Sequence, residues 1–223
     1  MKIKGAIFDM DGTLIDSLMF WGHLWRRIGK EYMNDEGFLP DGEVDRAVRT
    51  MIYVDAMAYF KEHYGIAGST EDFIEFAKGG ILDFYRDIAT VKVGAVEILT
   101  ALRGRGIPLY LASATAMEFI PPVLKMHGLD GYFDGILSCA DIGKGKEKPD
   151  IYLLAAEQMG LSVGDVCVFE DSFVALETAK SAGFKTVGLY DKYSMGQDRL
   201  LAASDIYMKE GESLLDILPQ IEA

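Results

Sequence analysis

Cysteine is scarce in this 223-residue chain. Only Cys139 and Cys167 occur, both within apolar segments, and their spacing matches neither a metal-ligand set nor a redox pair. They read as small buried hydrophobes in a reducing compartment. Long hydrophobic runs are missing as well. No apolar stretch approaches the roughly 20 residues of a membrane-spanning helix, and the opening MKIKGAIFDMDG meets acidic residues too soon to hold a secretory apolar region. The expectation is a cytoplasmic protein with no membrane partner. Positive charge is the third shortage: 22 Lys and Arg stand against 35 Asp and Glu, a net charge of −13. Such a surface repels nucleic-acid phosphates. The one basic cluster, Lys144, Lys146 and Lys148, is too short for a polyanion groove and suits a single phosphate better. Internal repeats and low-complexity segments are also lacking.

What is present is strand-helix alternation. Short β-rich runs recur at residues 107–113, 135–138, 166–170 and 186–190, with helical stretches between them. This pattern predicts an α/β fold, a doubly wound parallel sheet of Rossmann-like type with function at the carboxyl ends of its strands. Residues from about 14 to 90 break the alternation. Leu18, Trp21, Trp25, Ile28 and Tyr32 step by three and four, as do Phe73, Ala77, Ile81, Phe84 and Ile88. Ser69 with Asp72 has the spacing of a capping box for the second of these helices. The expected organisation is a core domain of residues 1–14 and 91–223, with an all-helical cap, residues 15–90, inserted directly after the first strand.

The first strand ends in IFDMDGTLID, which sets two aspartates one residue apart. Two such carboxylates repel and resist burial. A turn, a helix cap or solvent offers one explanation, and a divalent metal with a reaction at its edge offers another. Three further places bear on the choice: Ser113 and Ala114 at the end of residues 107–113, the lysine cluster before Pro149-Asp150, and Glu170-Asp171-Ser172 after VCVF. Each alone has a plainer reading, as a polar strand end, a solvated loop or surface acids, and Ser172 has the position of a helix cap. Together they fit phosphoryl transfer. Side chains two apart in an extended segment point the same way, so Asp9 can attack phosphorus while Asp11 protonates the leaving oxygen and later deprotonates water. Mg²⁺ and a lysine would cancel the repulsion between nucleophile and phosphate, and Ser113 with neighbouring N–H groups such as that of Ala114 would hold the phosphate oxygens.

On Asp9-Met10-Asp11-Gly12-Thr13, Ser113, the lysine before Pro149-Asp150 and Glu170-Asp171-Ser172, the chain resembles the haloacid dehalogenase superfamily along essentially its whole length. The subgroup it is similar to carries a helical cap after the first strand and includes phosphoglycolate phosphatases and β-phosphoglucomutases. The resemblance implies that Asp9 is the nucleophile and Asp11 the acid/base, also a metal ligand through its carbonyl. It implies that Asp9, Glu170 and Asp171 complete a Mg²⁺ site. The family spacing selects Lys146 as the phosphate-neutralising lysine, with Lys148 as the alternative because Glu147 stands where proline is common.

The activity expected is a Mg²⁺-dependent phosphatase acting on a small phosphorylated metabolite, in a monomer or weak homodimer. A phosphosugar isomerase of the β-phosphoglucomutase type is the alternative, but Trp21 stands where those enzymes usually have histidine, and the segment from Arg49 to Tyr53 lacks their clamp motif. A binding protein without catalysis would be favoured by loss of Asp9 or Asp11, and both are retained. Trp21, His23, Arg49 and Tyr53 are the specificity candidates in the cap, although the spacing of Trp21 and Trp25 also suits helix packing.

Overall fold

The computed structural model of the chain describes residues 1–48, 51 and 53–222. Two compact units make it up: Met1–Leu18 with Thr90–Ala223, and Met19–Ala89.

In the first unit the strands are β1 (Gly5–Phe8), β2 (Ile15–Asp16), β3 (Thr90–Val91), β4 (Leu109–Ser113), β5 (Gly135–Ser138), β6 (Val166–Glu170), β7 (Lys185–Leu189) and β8 (Ile206–Met208). Six form one parallel sheet in the order β5-β4-β1-β6-β7-β8. Helices flank the sheet, giving the Rossmann-like α/β fold expected from the alternation. Every residue of β1, β4 and β6 is buried. A parallel strand covered on both faces reads as an unbroken apolar run, which is why these three are so plain in the sequence. On one face Ile7, Tyr110, Ala112, Val166 and Val168 pack with Ile151, Tyr152 and Ala155 of the helix Asp150–Met159. Elsewhere the Phe8 and Phe169 rings stack across neighbouring strands, 4.1 Å between centroids. Both cysteines are buried and unbridged.

Three strands were not expected. β8 is only three residues long, and β2 pairs antiparallel with β3 as a two-residue ribbon. The helices therefore do not follow the first strand directly. Segments this short show too few side chains for period-two alternation to register.

The second unit is helical: Phe20–Ile28, Gly42–Val48, Tyr53–His63 and Thr70–Asp87. Its core gathers Leu24, Trp25, Ile28, Phe60, Phe73 and Ala77. Trp25 stacks on Phe60 with centroids 4.6 Å apart, and its indole N–H donates to Asp45 at 2.7 Å. The helix over Thr70–Asp87 starts where the sequence indicates, with Ser69 Oγ accepting from the Asp72 N–H at 3.0 Å. The helix predicted from Leu18 to Tyr32 instead starts at Phe20 and widens into a π-turn over Gly29–Met33. The packing at the start of that turn requires glycine, because a Cβ on Gly29 would lie 2.2 Å from Phe38 Cβ and 2.4 Å from the Asp35 carbonyl. Among the described residues, no helix is long and apolar enough to cross a membrane.

Candidate active site

β1 lies between β4 and β6, where the sheet order reverses direction. The crevice beyond the carboxyl ends of such strands is where open α/β sheets bind ligands. Asp9 is the first residue past β1. Its N–H donates to the Phe169 carbonyl at 3.0 Å, tying this strand end to β6, and its carboxylate is buried. The chain then turns back at once. Leu14 and Ile15 both donate to the Met10 carbonyl at 2.9 Å, and Met10 points into the core. Gly12 sits at φ +83°, and a Cβ on it would lie 2.6 Å from the Asp171 carboxylate. Both the backbone conformation and the close approach require glycine.

Asp9 meets two acids from the end of β6. Carboxylate oxygens of Asp9, Glu170 and Asp171 all lie within 4.8 Å of one another, and all three residues are buried. Lys146 reaches in from the loop before the helix Asp150–Met159, and its ammonium donates to both Asp9 Oδ1 and Glu170 Oε1. Lys144 pairs with Asp150 instead, and Lys148 is exposed. Of the three lysines, the structure thus brings Lys146 to Asp9.

Burial dominates the electrostatics. It pushes the Asp9 carboxyl well above the usual carboxylate range, against the Lys146 ammonium and with help from Glu170 and Asp171. Asp171 is pushed up to about 7 by burial and then by Glu170. For Lys146, burial works to lower its pKa, but the carboxylates of Asp9 and Glu170 together outweigh this and hold it above the ordinary lysine range. One ammonium among three buried carboxylates leaves the cluster short of positive charge. Its donors are all hard carboxylate oxygens, the set that suits a hard divalent cation. The residues present fit such an ion.

Hydroxyls and one backbone N–H make the further hydrogen bonds to these carboxylates. Asp11 accepts from Ser17 Oγ and from Thr115 Oγ1, both at 2.7 Å. Its side chain stands outside the group of three acids. Tyr152 Oη donates to Glu170 Oε1 at 3.0 Å, Ser194 Oγ donates to Asp171 Oδ2, and Thr13 Oγ1 approaches Asp171 Oδ1 at 3.4 Å. Ser113 closes β4, fully buried, and its Oγ accepts from the Thr115 N–H at 3.0 Å, which leaves its own proton to donate. Ala114 follows it, exposed. Ser172 departs from expectation. It occupies the N-cap position of the helix Phe173–Ser181, but its side chain makes no capping bond, and its backbone N–H instead donates to Glu170 Oε2 at 3.2 Å.

The other candidates that the structure describes, Trp21, His23 and Tyr53, lie in the helical unit. Trp21 packs against Phe20 and Trp25, with centroids 5.6 and 5.3 Å away. His23 lines a depression of about 390 Å³ with Arg26, Arg27, Asp83 and Phe84, and burial followed by the Arg26 charge lowers its pKa. Tyr53 packs against the core of this unit, its hydroxyl buried without a hydrogen-bond partner among the described residues. Arg49 lies outside the described residues.

Thr115, Tyr152 and Ser194 had no sequence signal as site residues. Each comes to its carboxylate from a different loop or helix.

A family model described as haloacid dehalogenase-like hydrolase matches residues 3–183. The chain is 27% identical over 220 residues to a phosphorylated carbohydrates phosphatase of Thermotoga maritima, covering 98% of this chain and 100% of that one. It is 26% identical to the phosphoglycolate phosphatase of Escherichia coli, covering 98% and 92%. Among solved structures, a β-phosphoglucomutase candidate from Thermotoga maritima is similar with a TM-score of 0.80 at 27% identity, covering 98% of this chain and 99% of that one.

Proposed function

The chain belongs to the haloacid dehalogenase-like hydrolases and is a phosphoric monoester hydrolase, and from that premise we propose that it hydrolyses small phosphorylated carbohydrates through an aspartyl-phosphate on Asp9. The observation that carries this reading is the buried Asp9 carboxylate at the end of the central strand, with Lys146 on it and the oxygens of Glu170 and Asp171 within 4.8 Å. The T. maritima relative, whose name specifies phosphorylated carbohydrates, supports the substrate class.

Asp9 attacks phosphorus, the bond from phosphorus to the sugar oxygen breaks, and Asp11 gives that oxygen its proton. Ser17 and Thr115 fix the Asp11 carboxylate from both sides for this work. In the second half Asp11 takes a proton from water, the water oxygen bonds to phosphorus, and the acyl-phosphate bond to Asp9 breaks to release inorganic phosphate. Lys146 balances the charge of Asp9 throughout, and Ser113 with the Ala114 N–H holds the non-reacting phosphate oxygens. Asp9, Glu170 and Asp171, with the Asp11 carbonyl, would hold Mg²⁺, which when bound supplies the positive charge that draws a phosphate dianion toward a carboxylate. The helical unit, residues 15–90 in outline, serves as the cap that selects the sugar, with Trp21, His23, Arg49 and Tyr53 as its specificity residues.

A phosphate-release screen over sugar, nucleotide and glycolytic monophosphates, run beside Asp9→Asn, tests the reading. Activity should be confined to the wild type and concentrated among sugar phosphates. Wild-type turnover by Asp9→Asn would refute the mechanism, and preference for nucleotides would refute the substrate class.

A further inference from the structure

The loop that follows β7 runs over the active site without contributing any residue that the sequence motifs identify. Its first turn, Asp191 to Ser194, is closed by the Ser194 N–H donating to the Asp191 carbonyl at 3.1 Å. Two fastenings hold the turn in place. Asp191 is only 4% exposed, and its carboxylate accepts from Lys92 Nζ and from the Tyr193 N–H, the latter at 2.8 Å. Gln197 Nε2 donates to both the Asp191 and Ser194 carbonyls, at 2.9 and 3.0 Å, while its Oε1 accepts from Tyr207 Oη at 2.9 Å. Beyond the turn, Gly196 adopts φ +71°, and a Cβ there would lie 2.5 Å from the Phe173 ring, so the loop is seated closely on the helix that follows Asp171.

The side chains on either side of Ser194 point away from the protein. Tyr193 is 50% exposed and Met195 82% exposed. Ser194, between them, turns inward, and its Oγ donates to Asp171 Oδ2. A partly buried ion pair joining Lys92 to Asp191, 99 residues apart, contributes little net stability because both charges lose much of their hydration. It does fix where the turn lies, and so where the serine hydroxyl lies. A neutral donor on one carboxylate oxygen sets the rotamer of Asp171 without cancelling the negative charge a cation requires.

We propose that the Asp191–Ser194 turn is a positioning device for Asp171, in which Ser194 orients the carboxylate for the divalent cation and the Lys92–Asp191 pair holds Ser194 in place. This rests on the reading that Asp171 is a cation ligand, and the experiment separates the two claims. The chelator-treated full-length protein is titrated with Mg²⁺ alone, with affinity read by calorimetry and by the shift of the thermal midpoint, and no substrate is present. Ser194→Ala is expected to weaken Mg²⁺ affinity about tenfold or more, the usual consequence of losing an outer hydrogen bond to a ligand. Ser194→Thr keeps the donor and is expected within about threefold of the wild type. Lys92→Met should weaken affinity in the same direction as Ser194→Ala, and Asp171→Ala should abolish binding over the same range.

A wild type that binds no Mg²⁺, or an Asp171→Ala variant that binds as the wild type does, overturns the ligand reading and this inference with it. If wild type and Asp171→Ala behave as expected but Ser194→Ala binds Mg²⁺ within about threefold of the wild type, the inference alone falls. That holds even where the variant melts earlier, since a serine that merely braces the loop would lower the midpoint and leave affinity unmoved. A Ser194→Thr variant as weak as Ser194→Ala would also overturn it, because the hydroxyl would not then be the group that matters.

Discussion

Gly12→Ala separates backbone strain from site geometry. At φ +83° an L-residue costs roughly 1–2 kcal/mol. In a protein of this size that is a loss of about 2–8 °C in melting temperature. The methyl group adds a second effect. It would lie 2.6 Å from the Asp171 carboxylate, where ordinary contact begins at 3.4 Å, so the carboxylate or the turn carrying Asp9 and Asp11 must yield by about 0.8 Å. Displacements near 1 Å in reacting groups cost on the order of 10²-fold in rate. Gly128→Ala is the control: it shares the strained conformation, at φ +66°, but a Cβ there meets nothing within 4 Å. Both variants should melt a few degrees early. Only Gly12→Ala should lose about 10²-fold in kcat/KM for p-nitrophenyl phosphate at saturating Mg²⁺. Equal activity in the two variants would show that the approach of Gly12 to Asp171 does not set the site.

Asp9→Asn should reduce phosphate release by about 10⁴-fold or more. Its circular dichroism should be unchanged and its melting temperature no lower, since an amide relieves like-charge repulsion in the buried cluster; a fall of several degrees would argue against that repulsion. Asp171→Ala should raise the Mg²⁺ concentration for half-maximal activity or abolish turnover, and full activity in excess chelator would contradict a metal role. The pH dependence of the metal-free protein has a defined sign. Asp171 binds its proton more tightly folded, at about 7, than unfolded, near 3.8, so its contribution to stability is complete below the unfolded value and is lost as pH rises toward 7. In chelator, melting temperature should fall more steeply with rising pH in the wild type than in Asp171→Asn; parallel profiles would refute the assignment. Finally, β-glucose 1-phosphate should yield inorganic phosphate rather than glucose 6-phosphate even with a bisphosphate primer, and isomerisation outrunning release would promote the mutase reading.

The sequence showed most plainly what is repeated along a single strand. β1, β4 and β6 are covered on both faces, so nearly every residue in them is apolar and their limits are readable. The acids at their ends stand out against those runs. β8 with three residues and the two-residue pair β2 and β3 carry no such contrast. The need for glycine at position 29 comes from Asp35 and Phe38, six and nine positions ahead, so it left no local mark. Distance along the chain hid the hydroxyl donors in the same way. Tyr152 is 18 residues from Glu170, Ser194 is 23 from Asp171 and Thr115 is 104 from Asp11. Nothing about an isolated Ser, Thr or Tyr distinguishes these from the many that face water.

The division of labour among donors follows from charge. The cluster of Asp9, Glu170 and Asp171 receives one ammonium, on Asp9 and Glu170, while Asp11, Glu170 and Asp171 accept from hydroxyls and Glu170 also from the Ser172 N–H. Had each acid been given its own lysine, every carboxylate would be held in the ionised state by a full positive charge. The site would then attract a divalent cation weakly, and Asp11 would resist the protonation that the proposed mechanism assigns to it. Hydroxyls fix position while leaving most of the negative charge in place. They can also reverse their hydrogen bonds when a carboxylate gains a proton, which an ammonium cannot do because it offers no acceptor. A single lysine at Asp9 and mainly hydroxyls elsewhere is therefore the arrangement that the proposed mechanism asks for, in which the site draws in both a cation and a phosphate dianion and passes one proton in each direction.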